Sequence, residues 1–319
     1  MLNIKIEDIT SFLISYQLAG IPFKGVINKI SSIDAADENT IVWVSGARND
    51  RYELLAKTTS KLIICDKKID ITNQACDGKS FIIVEDPKLS FLRIVSALFQ
   101  KKPVCGIHTT SVIDPEAIIH PETYIGPYCI IGKATIGAGS ILHGHCQIYD
   151  NTEIGKNVVL HSHTVLGSDG FGFVRNEENK IEKFVHIGKT VIEDDVEIYP
   201  FTNVDRGTLF ETRVKNGAKL DHFTHIGHNS SIGENTIITA GVVFCGGSSV
   251  ERDSWIGVNS IVKEKIKIGK NCTVGLGAVV TKDIPDNETW LGVPARKLKE
   301  FVKLQKIFKH LLKGNIKYL

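Results

Sequence analysis

The sequence predicts a mainly β protein: a left-handed parallel β-helix built on a hexapeptide repeat, with a small α/β domain before it and a C-terminal α-helix after it. Three observations carry this. An apolar residue returns every six positions over most of the chain, residues 1–102 lack that period, and the C-terminal stretch has the stripe of an amphipathic helix.

The period is clearest at Val214, Leu220, Ile226, Ile232, Ile238, Phe244, Val250, Ile256, Val262, Ile268, Val274 and Val280. With 42% of residues apolar, such a run arises by chance about 3 times in 100,000 per frame. The rhythm begins at Ile119, Ile125 and Ile131, slips by one residue, and resumes at Ile136, Leu142, Ile148, Ile154, Leu160 and Leu166; Ile192, Ile198 and Val204 form a further run. A period of six fits neither a helix nor an amphipathic strand followed by a hairpin. It fits a short strand and a corner. Three such units close a triangular coil of about 18 residues, apolar side chains inward, with coils stacked about 4.8 Å apart by parallel pairing. Coils of this repeat wind left-handed, against the usual right-handed crossover; the period alone does not fix the hand. Residues 168–184 (SDGFGFVRNEENKIEKF) and 205–213 (DRGTLFETR) interrupt the frame. Loops pushed out of a rigid solenoid are where binding residues concentrate.

Residues 1–102 read as an α/β domain, because helix-like EDITSFLISYQLAG and PKLSFLRIVSALFQ alternate with strand-like TIVWVS, KLIICD and SFIIVED. QKKPV reads as the linker, coils occupy 103–290, and 291–319 form a helical extension. In that extension Leu298, Phe301, Val302, Leu304, Ile307, Phe308, Leu311 and Leu312 make one stripe. Lys297, Lys299, Lys303, Lys306, Lys309 and Lys313 fill the other face against Glu300. The stripe suits packing on the chain's own coils or a neighbouring subunit. The basic face suits an acidic protein or an anionic membrane surface.

Formal net charge is +2, which excludes strong nucleic-acid electrostatics as a general property. Seven cysteines without a C-x-x-C pair are expected as reduced thiols in a cytoplasmic protein, with a membrane-peripheral location open through the basic helix. MLNIKIEDITSF is not expected to be a signal peptide, and without a run of eighteen apolar residues no transmembrane segment is expected.

The stretch HFTHIGHNSSIG holds His222, His225 and His228. On the repeat frame, His222 and His228 each stand two residues past an inward position, on consecutive faces, and His225 just precedes Ile226. A single zinc would not collect them, so no metal is expected. Residues 18 apart stack, which puts Gly246 of FCGGSSV one coil above His228. An imidazole suits proton removal at neutral pH, and the Gly246 N–H could face a developing oxyanion. The same arithmetic stacks His143 with His161 and His145 with His163, where an outer face or subunit contact fits better than a site. Cys245 has no activating neighbour in sequence, and no Gly-x-Ser-x-Gly or Walker sequence is present.

This architecture resembles the hexapeptide-repeat acyltransferases. Three motifs are similar to those of the UDP-3-O-acylglucosamine N-acyltransferases of lipid A synthesis: GSDGFGF (Gly167 to Phe173), VDRG (Val204 to Gly207) and KLDHFTHIGHN (Lys219 to Asn229). With the N-terminal domain the likeness covers roughly residues 1–290. It implies His228 as catalytic base, Asp221 as the acid that assists it, and Gly246 as oxyanion donor. It implies Asp169, Phe171, Asp205 and His222 as substrate-binding positions, and a uracil sandwich of Trp43 and Tyr52 with Asn49 nearby. Lys265 stands where many members have a histidine near the donor's phosphate, a role open to a lysine. This chain departs from the pattern in a longer segment between Trp43 and Asn49, in His222 for an asparagine, and in Gly227 for an alanine. Its ending GLGAVVTKDIP…GVPAR is similar to sugar N-acetyltransferases that use acetyl-CoA.

The resemblance further implies a homotrimer, a UDP-amino-sugar acceptor, no permanently bound cofactor, and an acyl-phosphopantetheine donor, either acyl carrier protein or acyl-CoA. The expected reaction moves a 3-hydroxyacyl chain from acyl carrier protein to the 2-amine of UDP-3-O-acyl-glucosamine. The alternatives are a UDP-amino-sugar N-acyl- or N-acetyltransferase using acyl-CoA for a surface polysaccharide, and a non-catalytic solenoid binding protein. The His228–Gly246 register argues against the last.

Overall fold

The computed structural model describes residues 3–101 and 103–312. The chain divides into two compact units, Met1–Lys102 and Pro103–Leu319.

The first unit is a five-stranded sheet of β1 (Gln17–Gly20), β2 (Lys29–Ile30), β3 (Thr40–Val44), β4 (Leu62–Cys65) and β5 (Ser80–Ile83) in the order β1-β5-β4-β3-β2. Pairing is parallel except between β1 and β5. The near-continuous apolar runs of β3 and β4 are buried on both faces, as parallel strands between helices must be. The helix-like reading of EDITSFLISYQLAG holds for α1 (Ile6–Thr10) alone. Its second half is strand β1, because pairing with the edge of β5 outweighs local propensity. Helices α2 (Arg51–Lys57) and α3 (Pro87–Leu98) supply Leu55 and Ile94 to two separate cores, one on each face of the sheet.

The second unit is the expected left-handed parallel β-helix. Short strands stack into three faces. Face I starts at Gly106–Ile107, face II at Val112–Ile113 and face III at Ile118–Ile119. Each face is parallel except for the antiparallel closing pair of face I, Thr289–Leu291 with Arg296–Lys297. The twelve apolar residues from Val214 to Val280 are all at most 1% exposed, so the period of six is the period of the core. Coil corners place a residue in the left-handed backbone region, which asparagine and glycine tolerate best. At the corner from face I to face II that position is held instead by Tyr128, His145, His163, Phe201 and Phe223. Their rings stack in one exposed ladder with centroids 4.8–5.4 Å apart. His143, His161 and Tyr199 stack beside it.

Every departure from the period falls on one edge, between faces II and III. The one-residue slip lies between Ile131 and Ile136, and the interruptions lie between Leu166 and Ile192 and between Val204 and Val214. The first interruption carries a small antiparallel hairpin, Phe173–Arg175 with Ile181–Lys183.

Helix α4 (Leu298–Leu312) follows the last coil, and Phe301 packs against Gly292. Leu298, Val302 and Phe308 stay exposed. Lys297 is paired with Glu288, whereas Lys299, Lys303, Lys306 and Lys309 have no ion-pair partner among the described residues. Lys313 lies outside them.

Candidate active site

Pairing of Ile226 with Phe244 sets the register that brings Gly246 onto His228. A Cβ on Gly246 would lie 2.6 Å from His228 Nε2, so only glycine lets the backbone meet the imidazole edge this closely. The Gly246 N–H has no acceptor among the described residues, while the adjoining amides of Cys245 and Gly247 donate to Val262 and His228. One coil further on, the Lys265 amide donates to the Gly246 carbonyl. The Lys265 ammonium, exposed on the same edge, has no ion-pair partner among the described residues. Burial pushes the neighbouring Cys245 thiol up, which leaves it a poor nucleophile.

The other nitrogen of His228 is held by groups the sequence did not single out. Nδ1 is 2.9 Å from Asn229 Nδ2 and 3.3 Å from Thr208 Oγ1. The Asn229 amide is oriented by the Thr208 N–H, which donates to Oδ1 at 2.8 Å. Nδ2 therefore points its hydrogens at Nδ1, and the resting neutral ring carries its proton on Nε2. Burial first, then the adjacent His186 ring, hold His228 below the ordinary imidazole value, while Asp205 pulls the other way.

Asp205 is 4% exposed. It accepts from Asn203 Nδ2 at 2.7 Å and Ser168 Oγ at 3.1 Å, and lies 3.7 Å from His225 Nε2. Asp169 is bound by Lys183 at 2.5 Å and lies 3.8 Å from Arg206; the Lys183 bond holds its carboxyl below the usual carboxylate value. Phe171, two residues on, is 86% exposed and tilts against Phe173.

The structure does not bring Asp221 to His228. Asp221 follows face I and His228 follows face II, so they occupy different corners of one prism. The partner of Asp221 is His222, with Nδ1 2.6 Å from Oδ1. Burial raises the Asp221 carboxyl, but the hydrogen bonds of the His222 ring and amide outweigh it and leave the group below its ordinary value.

Nor does the first unit assemble the expected uracil sandwich. Trp43 alternates with Val42 and Val44 and packs in the core that contains Ile41 and Ile94. Tyr52, on α2, packs in the core on the opposite face. Its hydroxyl accepts from the Asp70 amide at 2.9 Å, and Arg51 covers its ring. Asn49 is exposed in the loop before α2. The cavity of this unit, about 690 Å³, opens instead at the carboxyl ends of β3 to β5, where ligands of such sheets bind. Lys68 and Arg93 line it together with Asp66, Glu85 and Asp86, and neither cation has an ion-pair partner among the described residues.

No group of His, Cys, Asp and Glu among the described residues could hold a metal ion, and no described helix is long and apolar enough to cross a membrane.

The model of bacterial transferase hexapeptide repeats matches residues 133–168 and 211–246. A UDP-3-O-acylglucosamine N-acyltransferase of Pseudomonas fluorescens is 35% identical over 265 residues, 76% of this chain and 73% of that one. The chain belongs to the UDP-3-O-acylglucosamine N-acyltransferase family. A member from Coxiella burnetii is 32% identical over 70% of this chain and 69% of its own length. With the one from Wolinella succinogenes, 35% identical, the shared stretch is 54% of each chain. Among solved structures, the UDP-N-acetylglucosamine O-acyltransferase of Moraxella catarrhalis superposes with a TM-score of 0.54 at 25% identity, over 62% of this chain and 77% of that one. The UDP-N-acetylglucosamine acyltransferase of Francisella novicida gives 0.56 at 25% identity, over 63% and 73%.

The resting tautomer yields a prediction. Asn229→Asp keeps an oxygen for the Thr208 N–H but offers Nδ1 an acceptor, and its charge favours the imidazolium. The His228 value should rise, so the acid limb of kcat/KM against pH should move up by about one unit or more. An unmoved limb would show that Nδ1 does not govern the titrating base.

Proposed function

We propose that the protein transfers a 3-hydroxyacyl chain from acyl carrier protein to the 2-amine of UDP-3-O-acyl-glucosamine, a step of lipid A synthesis. The observation that carries the chemistry is the unshared N–H of Gly246 on the residue packed against His228 Nε2. The amine attacks the thioester carbonyl and His228 takes its proton. The Gly246 N–H receives the oxyanion of the tetrahedral intermediate, and collapse expels a thiolate that takes the proton back from the imidazolium. The base form of His228 arises when the ring proton sits on Nδ1, with Thr208 Oγ1 as its acceptor and the Asn229 amide turned away. Lys265 suits a phosphate of the donor, and the unpaired lysines of α4 suit an acidic carrier protein. Product mass spectrometry with acyl carrier protein and acetyl-CoA donors offered together tests the reading. A hydroxyacylated UDP-sugar is expected; an acetylated product alone would favour the acyl-CoA alternative, which rests on the GLGAVVTKDIP…GVPAR ending. His228→Ala should lower kcat by about 10²–10⁴-fold with little change in KM; half of normal turnover would place the base elsewhere.

For the nucleotide, the cavity with Lys68 and Arg93 is the candidate in place of the Trp43–Tyr52 pair: it opens at the carboxyl ends of β3 to β5, and its two cations, set among Asp66, Glu85 and Asp86, have no ion-pair partner among the described residues. Lys68→Ala and Arg93→Ala should raise KM for the UDP-sugar several-fold with kcat little altered. An unchanged KM would remove this cavity from substrate binding.

We propose a homotrimer on the same basis. In one chain the Asp221–His222 pair and His228 stand on different corners, and three-fold closure lets corners of adjacent prisms meet in a shared cleft. Asp221→Asn subunits mixed with His228→Ala subunits should then recover part of the lost activity. No recovery, under conditions where subunit exchange is demonstrated, would rule the shared cleft out.

A further inference from the structure

The insertion between faces II and III contains a residue that the proposed chemistry does not use. His186 is 3% exposed. Its Nδ1 lies 2.9 Å from the Phe184 carbonyl oxygen. Only an N–H satisfies that contact, so the ring carries a proton on Nδ1. Nε2 is buried without a hydrogen-bond partner among the described residues.

The ring stands edge-on to His228, with centroids 5.1 Å apart and planes at 72°. Gly170 closes over both rings. A Cβ there would fall 2.7 Å from His228 Cβ and Cδ2 and 2.9 Å from His186 Nε2. Gly172 lies as close to the other edge, its Cβ position 2.9 Å from His186 Cε1. The glycines of the DGFG loop thus let backbone seal two imidazoles into one layer.

We infer that His186 is a positioning residue for His228: a buried wedge, anchored to the Phe184 carbonyl, that fixes the orientation of the base and, with the glycine loop, keeps water from solvating its charged form. The inference rests on the reading of His228 as the base. Asp205 and His225 face His228, and Asp169, with Lys183 and Arg206 around it, faces His186. Those carboxylates are already engaged, Asp169 by Lys183 and Asp205 by Asn203 and Ser168. Neither hydrogen-bonds an Nε2 of this pair.

The test compares full-length His186→Ala, His186→Phe and His228→Ala. Each is assayed with the UDP-sugar and acyl donor of the proposed reaction. His228 is titrated directly by NMR of protein labelled at histidine ¹³Cε1, its resonance assigned by its loss in His228→Ala. His186→Ala admits water, so the His228 midpoint and the acid limb of kcat/KM should rise together. Its kcat should fall on the order of 10- to 100-fold, with KM little changed. His186→Phe fills the niche but cannot donate to Phe184. Its His228 midpoint should stay low while kcat still falls. Wild-type kcat in either folded variant overturns the orienting role, and an unmoved midpoint in folded His186→Ala overturns the exclusion of water. Should the alanine variant not fold, the phenylalanine variant decides the orienting role. Activity retained by His228→Ala would instead overturn the base assignment, and the NMR midpoints would still report the contact between the rings.

Discussion

Parallel pairing of two-residue strands sets the height of almost every other group in the second unit. A strand this short contributes few hydrogen bonds and is held by the apolar residue it turns inward, because a slip of one position would carry that residue to the surface and bury a polar one. Once Ile226 pairs with Phe244, the residues beyond them have no freedom of level, and His228 must meet Gly246. The His228–Gly246 contact is therefore inherited from hydrophobic burial rather than built by a dedicated polar network. The local network, Thr208 to Asn229 to Nδ1, adjusts only where the proton rests.

The prism has three edges of different character. The edge between faces I and II carries bulky rings at backbone angles they ordinarily avoid, a cost that ring stacking offsets. The edge between faces II and III keeps no strict length, and the catalytic candidates gather there in successive coils: His186 and the DGFG loop, then Asp205 and Thr208, then His228, Gly246 and Lys265. Burial there, with the His186 ring beside it, keeps His228 below the ordinary imidazole value against the pull of Asp205.

What the sequence disclosed follows from where a fixed period applies. The coils and the His228–Gly246 contact were legible because every inward position meets the same environment, so counting by eighteen is a measurement of height. Asp221 stands apart from His228 of its own chain because seven residues of separation in a triangular coil means a different corner, where it accepts from the adjacent His222. Trp43 and Tyr52 could not be paired because strand parity fixes the face of Trp43, whereas nothing in the sequence says which face α2 covers. His186 and Thr208 lie inside interruptions, where counting has no origin. Asn229 stood in the quoted motif, but its role depends on which way its amide points, and the backbone N–H of Thr208, 21 residues away in the second interruption, decides that.

The confinement of all length changes to one edge separates two kinds of heritable variation. A residue gained or lost between Leu166 and Ile192, or between Val204 and Val214, leaves the inward positions on either side in register, because the chain re-enters face III at the same level. Such changes reshape the wall around His228 without repacking the interior. Substitutions at inward positions do the reverse, altering how firmly the coils hold while leaving that wall alone. The wall around His228 and the firmness of the stack are thus written in different parts of each coil, and a lineage can revise one without renegotiating the other.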